Sequence, residues 1–168
     1  MDKLAFNKVS YGVYIATTKF EEKASGCVIT TLMQITSEDT PKMIVAVNKA
    51  NYTNELIKKS KKVNVAVLSE EADMLLIGKF GFRTGRDFDK LKDTESIIGK
   101  NGIPCVTKSA TAYFEANVIE EIEAGTHTIF LLEVTESVKL NDKPSMTYDY
   151  YHKVVKGKTP KNAATFSN

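Results

Sequence analysis

ATAYFEANVIEEIEAGTHTIFLLEVTESVKL, residues 110–140, is the stretch that decides the fold. It holds two long runs rich in β-branched and aromatic residues, 110–121 and 126–140. Glu123-Ala124-Gly125 lies between them and supplies a turn, so the pair predicts a β-hairpin. Towards the N-terminus, 63–69 (VNVAVLS) and 42–48 (KMIVAVN) are short apolar runs bounded by polar residues. Residues 24–36 (ASGCVITTLMQIT) form a longer Val/Ile/Thr-rich run, and 11–18 (YGVYIATT) is β-branched and aromatic. That makes about six strands, enough for a small barrel.

Two helices are expected between the strands. The first starts near Thr53 as N-cap, with Glu55 in its first turn, Tyr52 placed to staple onto Ile57, and Lys58, Lys59, Lys61 and Lys62 at its end. The second starts near Ser69, with Glu70 and Glu71 in its first turn and Ala72, Leu75, Leu76 and Lys79 on one face. Residues 80–92 read as a loop with a short helical turn. The tail from Tyr148, with Gly157 and Pro160, reads as a surface wrap and not a core element. No repeat or linker divides the chain, so 1–168 is read as one domain.

Composition narrows the function. The chain has 23 basic and 21 acidic side chains for a net charge of +2, too balanced for a nucleic-acid binder. Cys27 and Cys105 are far apart without a CxxC, and only two histidines accompany them, so no zinc or iron site is expected. They read as reduced buried thiols of a cytoplasmic protein. No signal peptide and no membrane-length apolar run is present. GxGxxG, a P-loop and GxSxG are all absent, so neither a Rossmann site nor a hydrolase elbow follows.

Four places carry candidate chemistry. The corner from Asn48 to Thr53 joins a strand to a helix N-terminus, where backbone N–H groups and the helix dipole suit a phosphate. Lys49 adds a charge there and Thr53 a hydroxyl; a capped helix beside a solvated lysine reads the same residues equally well. Thr30, Thr31 and Gln34 offer donors and acceptors to a flat heterocycle, or are ordinary strand residues. His127 opens a strand and either faces a cleft or serves the fold. Arg86 and Lys90, in a loop with Arg83, Asp87 and Asp89, either reach a phosphate or are solvated.

The segments GCVITTLMQIT, VNKANYT, FGFRTGRDFDKL, GTHTIFLLEV and TYDYYHKVVKGKTPKNA, in this order and spacing, resemble the flavin reductase-like, FMN-binding split-barrel family. They are most similar to the flavin reductase domain found in high-molecular-weight rubredoxin. The resemblance runs from Phe6 to Ala164, and GTHTIF and KGKTPKNA are its most specific pieces. It implies a mainly β fold with flanking α: a six-stranded antiparallel Greek-key split β-barrel that binds FMN near a homodimer interface.

By that resemblance Thr30, Thr31 and Gln34 lie along the isoalloxazine and ribityl chain. Asn48 and Lys49 border the ring, and Asn51 and Thr53 reach toward the phosphate. His127 matches the histidine of the family's Gly-Asp-His motif, with Thr126 in place of the acid, and lies near flavin and nicotinamide. Thr30 stands where relatives often have Asn. The implied activity is that of an NAD(P)H:flavin oxidoreductase, passing hydride from NADH or NADPH to FMN and electrons onward to free flavin or a rubredoxin or flavodiiron type protein. The rubredoxin extension is not expected, since no iron-binding cysteines precede Asn168. The competing readings are an FMN electron-transfer module without a nicotinamide site, a pyridoxamine-phosphate-oxidase-type barrel, and a flavin-free interaction barrel.

Overall fold

The computed structural model describes residues 2–161 and 163–165. Asn162 and residues 166–168 of the expected surface tail lie outside the described residues.

The six apolar runs give seven strands in one sheet: β1 (Tyr14–Phe20), β2 (Lys23–Ile29), β3 (Leu32–Gln34), β4 (Lys42–Asn48), β5 (Lys62–Leu68), β8 (Ala110–Ala124) and β9 (His127–Lys139). Strands β6 (Ser96–Ile98) and β7 (Pro104–Val106) form a separate two-stranded ladder. The six-strand expectation is corrected for one physical reason. The run 24–36 is interrupted at Thr30-Thr31, and its halves pair with different neighbours, β2 with β1 and β3 with β4.

The sheet order is β2-β1-β5-β8-β9-β4-β3, antiparallel throughout. β2 and β3 are therefore its two edges, yet only Thr30 and Thr31 separate them in sequence. Three virtual bonds span at most about 11 Å, so the edges must come together and the sheet must curl. No ladder joins β2 to β3 among the described residues, so the expected Greek-key ring is not closed by hydrogen bonds.

The curl wraps one core. Ala16, Cys27, Val45, Val47, Val65, Phe130 and Leu132 point inward from five strands and pack on Ile57 of α1 (Tyr52–Ser60). A second core covers the outside of β1, β5 and β8, where Ile15, Ala66 and Tyr113 meet Leu76, Ile77 and Phe80 of α2 (Met74–Gly81) and Tyr151 of α3 (Tyr148–Lys153).

The helices differ from expectation in instructive ways. α1 starts at Tyr52 with Asn51 as N-cap, two residues before the predicted cap at Thr53. α2 starts at Met74, because Asp73 accepts the Leu76 N–H (2.7 Å), while Ser69 is held by a bridge to Ser145. The apolar face is then Leu76, Ile77 and Phe80, and Leu75 is 82% exposed. The tail is not merely a surface wrap, because Tyr151 is buried. No helix among the described residues is long and apolar enough to cross a membrane.

Candidate functional site

An open-sided cleft lies beside the break at the end of β2. One wall comes from the end of β2 and the break after it, through Cys27, Val28, Ile29 and Thr30. A second comes from the outer face of β4 and β9, through Ala46, Asn48 and His127. Asn51 contributes from the start of α1, Gly81 and Phe82 from the end of α2. Tyr148, Tyr151, Pro160, Ala163 and Ala164 form a wall from the C-terminal segment.

Alternation along β4 and β9 explains the second wall. Val45, Val47, Phe130 and Leu132 point into the core, so Ala46, Asn48, His127 and Ile129 must point outward. Asn48 and His127 are register partners, which sets them side by side. His127 Nδ1 lies 2.9 Å from Thr126 Oγ1, so the threonine that stands in place of the family's acid holds the ring. Asn48 Oδ1 accepts the Ala50 N–H (2.8 Å), shaping the turn into α1.

Two features of the cleft suit an anionic, hydrogen-bonding ligand. Thr30 is 6% exposed and its Oγ1 has no hydrogen-bond partner among the described residues. The amide end of α1 is capped by the backbone of Asn51, whose side chain accepts no cap bond. That leaves the first-turn N–H groups and the positive dipole end without their usual side-chain oxygen.

Thr30, Asn48, Asn51 and His127 are thus brought together on the cleft. The other six predicted residues sit around or away from it. Thr53 is buried and shares a hydrogen bond with Ser25 Oγ (3.1 Å). Lys90 is buried, donating to the carbonyls of Gly26 (2.9 Å) and Phe80 (3.0 Å), with no carboxylate bridged to it among the described residues. Burial pushes its ammonium below the ordinary lysine value, and the Cys27 thiol partly opposes this. Arg86 pairs with Glu55 (2.6 Å) and stacks over Tyr52 (4.7 Å).

Lys49 bridges Glu123, which Lys58 also holds at 2.6 Å; these two ammonium groups keep that carboxyl at about 2. Thr31 lies in the break, half-buried and outside the cleft lining. Gln34 donates to the Thr36 carbonyl (2.8 Å) beside a separate shallow depression formed by 34–38. Cys27 lines the cleft as a thiol that burial pushes up, against the opposing Lys90 charge and hydrogen bonds from Thr53 and Asn51. Burial, aided by Glu115, raises Cys105 to about 12.

The sequence pattern of the flavin reductase like domain matches residues 6–158. The chain belongs to the flavin reductase-like domain family. This flavin reductase-like chain is 40% identical over 167 residues to the high molecular weight rubredoxin of Moorella thermoacetica, spanning 99% of this chain and 72% of that protein. It is also 40% identical over 166 residues to the ferric-chelate reductase (NAD(P)H) of Archaeoglobus fulgidus, spanning 99% and 98%.

Solved structures share the fold. The Streptomyces globisporus NADH:FAD oxidoreductase SgcE6 superposes with a TM-score of 0.75 at 20% identity, covering 85% of this chain and 84% of that one. The FMN-binding protein of Thermus thermophilus gives 0.72 at 19%, covering 80% and 73%. Sequence reasoning missed Phe82, Tyr148 and Tyr151 as cleft residues. Aromatics in a loop and a tail carry no periodicity that would aim them at a site.

Proposed function

We propose that this chain is an FMN-binding NAD(P)H:flavin oxidoreductase of the split-barrel type, acting as one domain over 1–168 in the cytoplasm. The observation that carries the reading is the buried Thr30 hydroxyl, without a partner among the described residues, on a residue that lines a cleft also reached by Asn51 at an amide end lacking a side-chain cap. A flavin has the ring carbonyls and N–H edge for the first feature and the phosphate for the second. When bound, FMN supplies the redox chemistry, accepting hydride from NADH or NADPH and passing electrons to a separate acceptor.

The chain's own residues bind and orient. Thr30 and Asn48 hold the ring and Thr31 and Gln34 border its approach. Asn51 and Thr53 present the α1 amide end to the phosphate. Lys90 and Arg86 add positive charge from the 82–95 loop, and Lys49 adds it from the turn before α1. His127, fixed by Thr126, faces the nicotinamide. No side chain is needed as nucleophile.

The outer face of β4 and β9 supports a homodimer. Beyond Asn48 and His127 it continues as Ala46, Ile129, Ile44 and Leu131, with Met33 and Ile122 as exposed neighbours. A second copy on that face would cover the cleft's edge. The relative named a rubredoxin supports an iron protein as electron acceptor, beside free flavin or a flavodiiron type protein.

The test is anaerobic addition of NADH, and separately NADPH, to FMN-loaded protein. Bleaching of the yellow colour is expected with at least one of them. A protein that binds FMN and stays oxidised with both would instead be an electron-transfer module fed by a partner. A protein that takes up no FMN would be an interaction barrel.

A further inference from the structure

The C-terminal wall of the cleft joins α3 to a stretch with no regular structure among the described residues after it, yet a set of hydrogen bonds fixes that stretch. His152 Nδ1 faces the Gly157 carbonyl at 3.0 Å, so Nδ1 carries the proton and donates. Nε2 then accepts, and the Thr159 hydroxyl lies 3.2 Å away to donate to it. The Thr159 oxygen is in turn bonded by the Tyr148 hydroxyl. Tyr151 adds a bond from its hydroxyl to the Lys158 carbonyl (3.0 Å). Gly157 lies so close to the Tyr151 ring that a Cβ there would stand 2.0 Å from it. Pro160, Ala163 and Ala164 follow directly and face the cleft.

The chemistry of this wall differs from that of the opposite one. The α1 end offers amides; the C-terminal wall offers a proline and two alanines from the strap and the rings of Tyr148 and Tyr151 from α3. The residues of this wall that line the cleft carry no cation, and both tyrosine hydroxyls are already engaged, so the wall suits the face of a flat, weakly polar ring. We infer that residues 154–161 and 163–165 form a strap that positions the nicotinamide ring of the electron donor, with Thr159 as its positioning residue. This inference rests on the reductase reading above.

The test uses full-length, FMN-loaded protein carrying Thr159→Val, Thr159→Ser or Gly157→Ala. Three quantities are measured: bound FMN per chain, steady-state KM and kcat for NADH and NADPH, and the rate of tryptic cleavage after Lys158 and Lys161 with and without NAD⁺. In the native protein NAD⁺ slows that cleavage. In Thr159→Val and Gly157→Ala the strap is cut faster, NAD⁺ no longer protects it, and KM rises by about five-fold or more at nearly constant kcat, as loss of uniform substrate binding requires.

FMN content stays at one per chain, and Thr159→Ser, which keeps the hydroxyl, behaves as native. The inference is overturned if the strap is released and KM does not move, or if KM rises only in step with loss of FMN. It is also overturned if both disruptive variants resist trypsin as the native protein does. A native holoprotein that neither nicotinamide reduces would instead defeat the reductase reading itself.

Discussion

A buried hydroxyl without a partner costs about 1–3 kcal/mol, and Thr30 Oγ1 is in that position at 6% exposure. Thr30→Val keeps the shape and removes the oxygen. The flavin-free protein should therefore gain about 1 kcal/mol, read as a higher urea midpoint. FMN affinity should fall about ten-fold, the worth of one good hydrogen bond, read by fluorescence titration. A stabilised variant with native affinity would separate Thr30 from the ligand.

Lys90 makes the second residue-scale argument. Its ammonium is buried on two carbonyls, and its folded-state proton affinity is lowered by burial. Below the folded value the lysine is charged in both states and the burial penalty is complete. Between that value and the ordinary 10.5 the unfolded chain binds more protons, so stability rises with pH, then levels off. The native protein should gain urea resistance relative to Lys90→Met as pH climbs from neutral towards 10.5, and a constant difference between the two would refute this.

At the scale of elements, the legible parts were those with a period. β4, β5, β8 and β9 were readable because apolar residues alternate or run continuously between polar ends. The break at Thr30-Thr31 was not readable, because threonine suits a strand and a strand end alike. That break converts one run into the two sheet edges, and Thr30 within it lines the cleft. The helix starts were misplaced for a related reason. Ser69 and Thr53 are good cap residues, but Ser69 bridges Ser145 and Thr53 bonds Ser25, so Asp73 and Asn51 cap instead.

The loop after α2 was read as a loop, yet its seat was invisible in sequence. Gly85 lies against Ser25, where a Cβ would come 2.2 Å from Oγ, and Ser25 in turn bonds Thr53. Gly85→Ala should therefore push this loop, with Arg86, off the start of α1. FMN affinity should drop about ten-fold or more while far-UV circular dichroism stays native. Native affinity in this variant would remove the loop from the phosphate end.

For the molecule as a whole, the site and the apolar face are the same surface. Alternation forces Asn48 and His127 to share one side of the sheet with Ile44, Ile129 and Leu131, none of which reaches a core. A stable dimer needs about 800 Å² per partner, and a curled sheet with exposed Met33 (58%) and Ile122 (47%) beside that row has the apolar centre for it. Leu131→Lys places a charge in the middle of the row while leaving inward-facing Phe130 and Leu132 untouched. The native protein should sediment as a dimer, and the variant as a folded monomer that loses FMN on gel filtration. A monomer that keeps its flavin would show the cleft complete within one chain. A native protein that sediments as a monomer would remove the second copy from the site altogether.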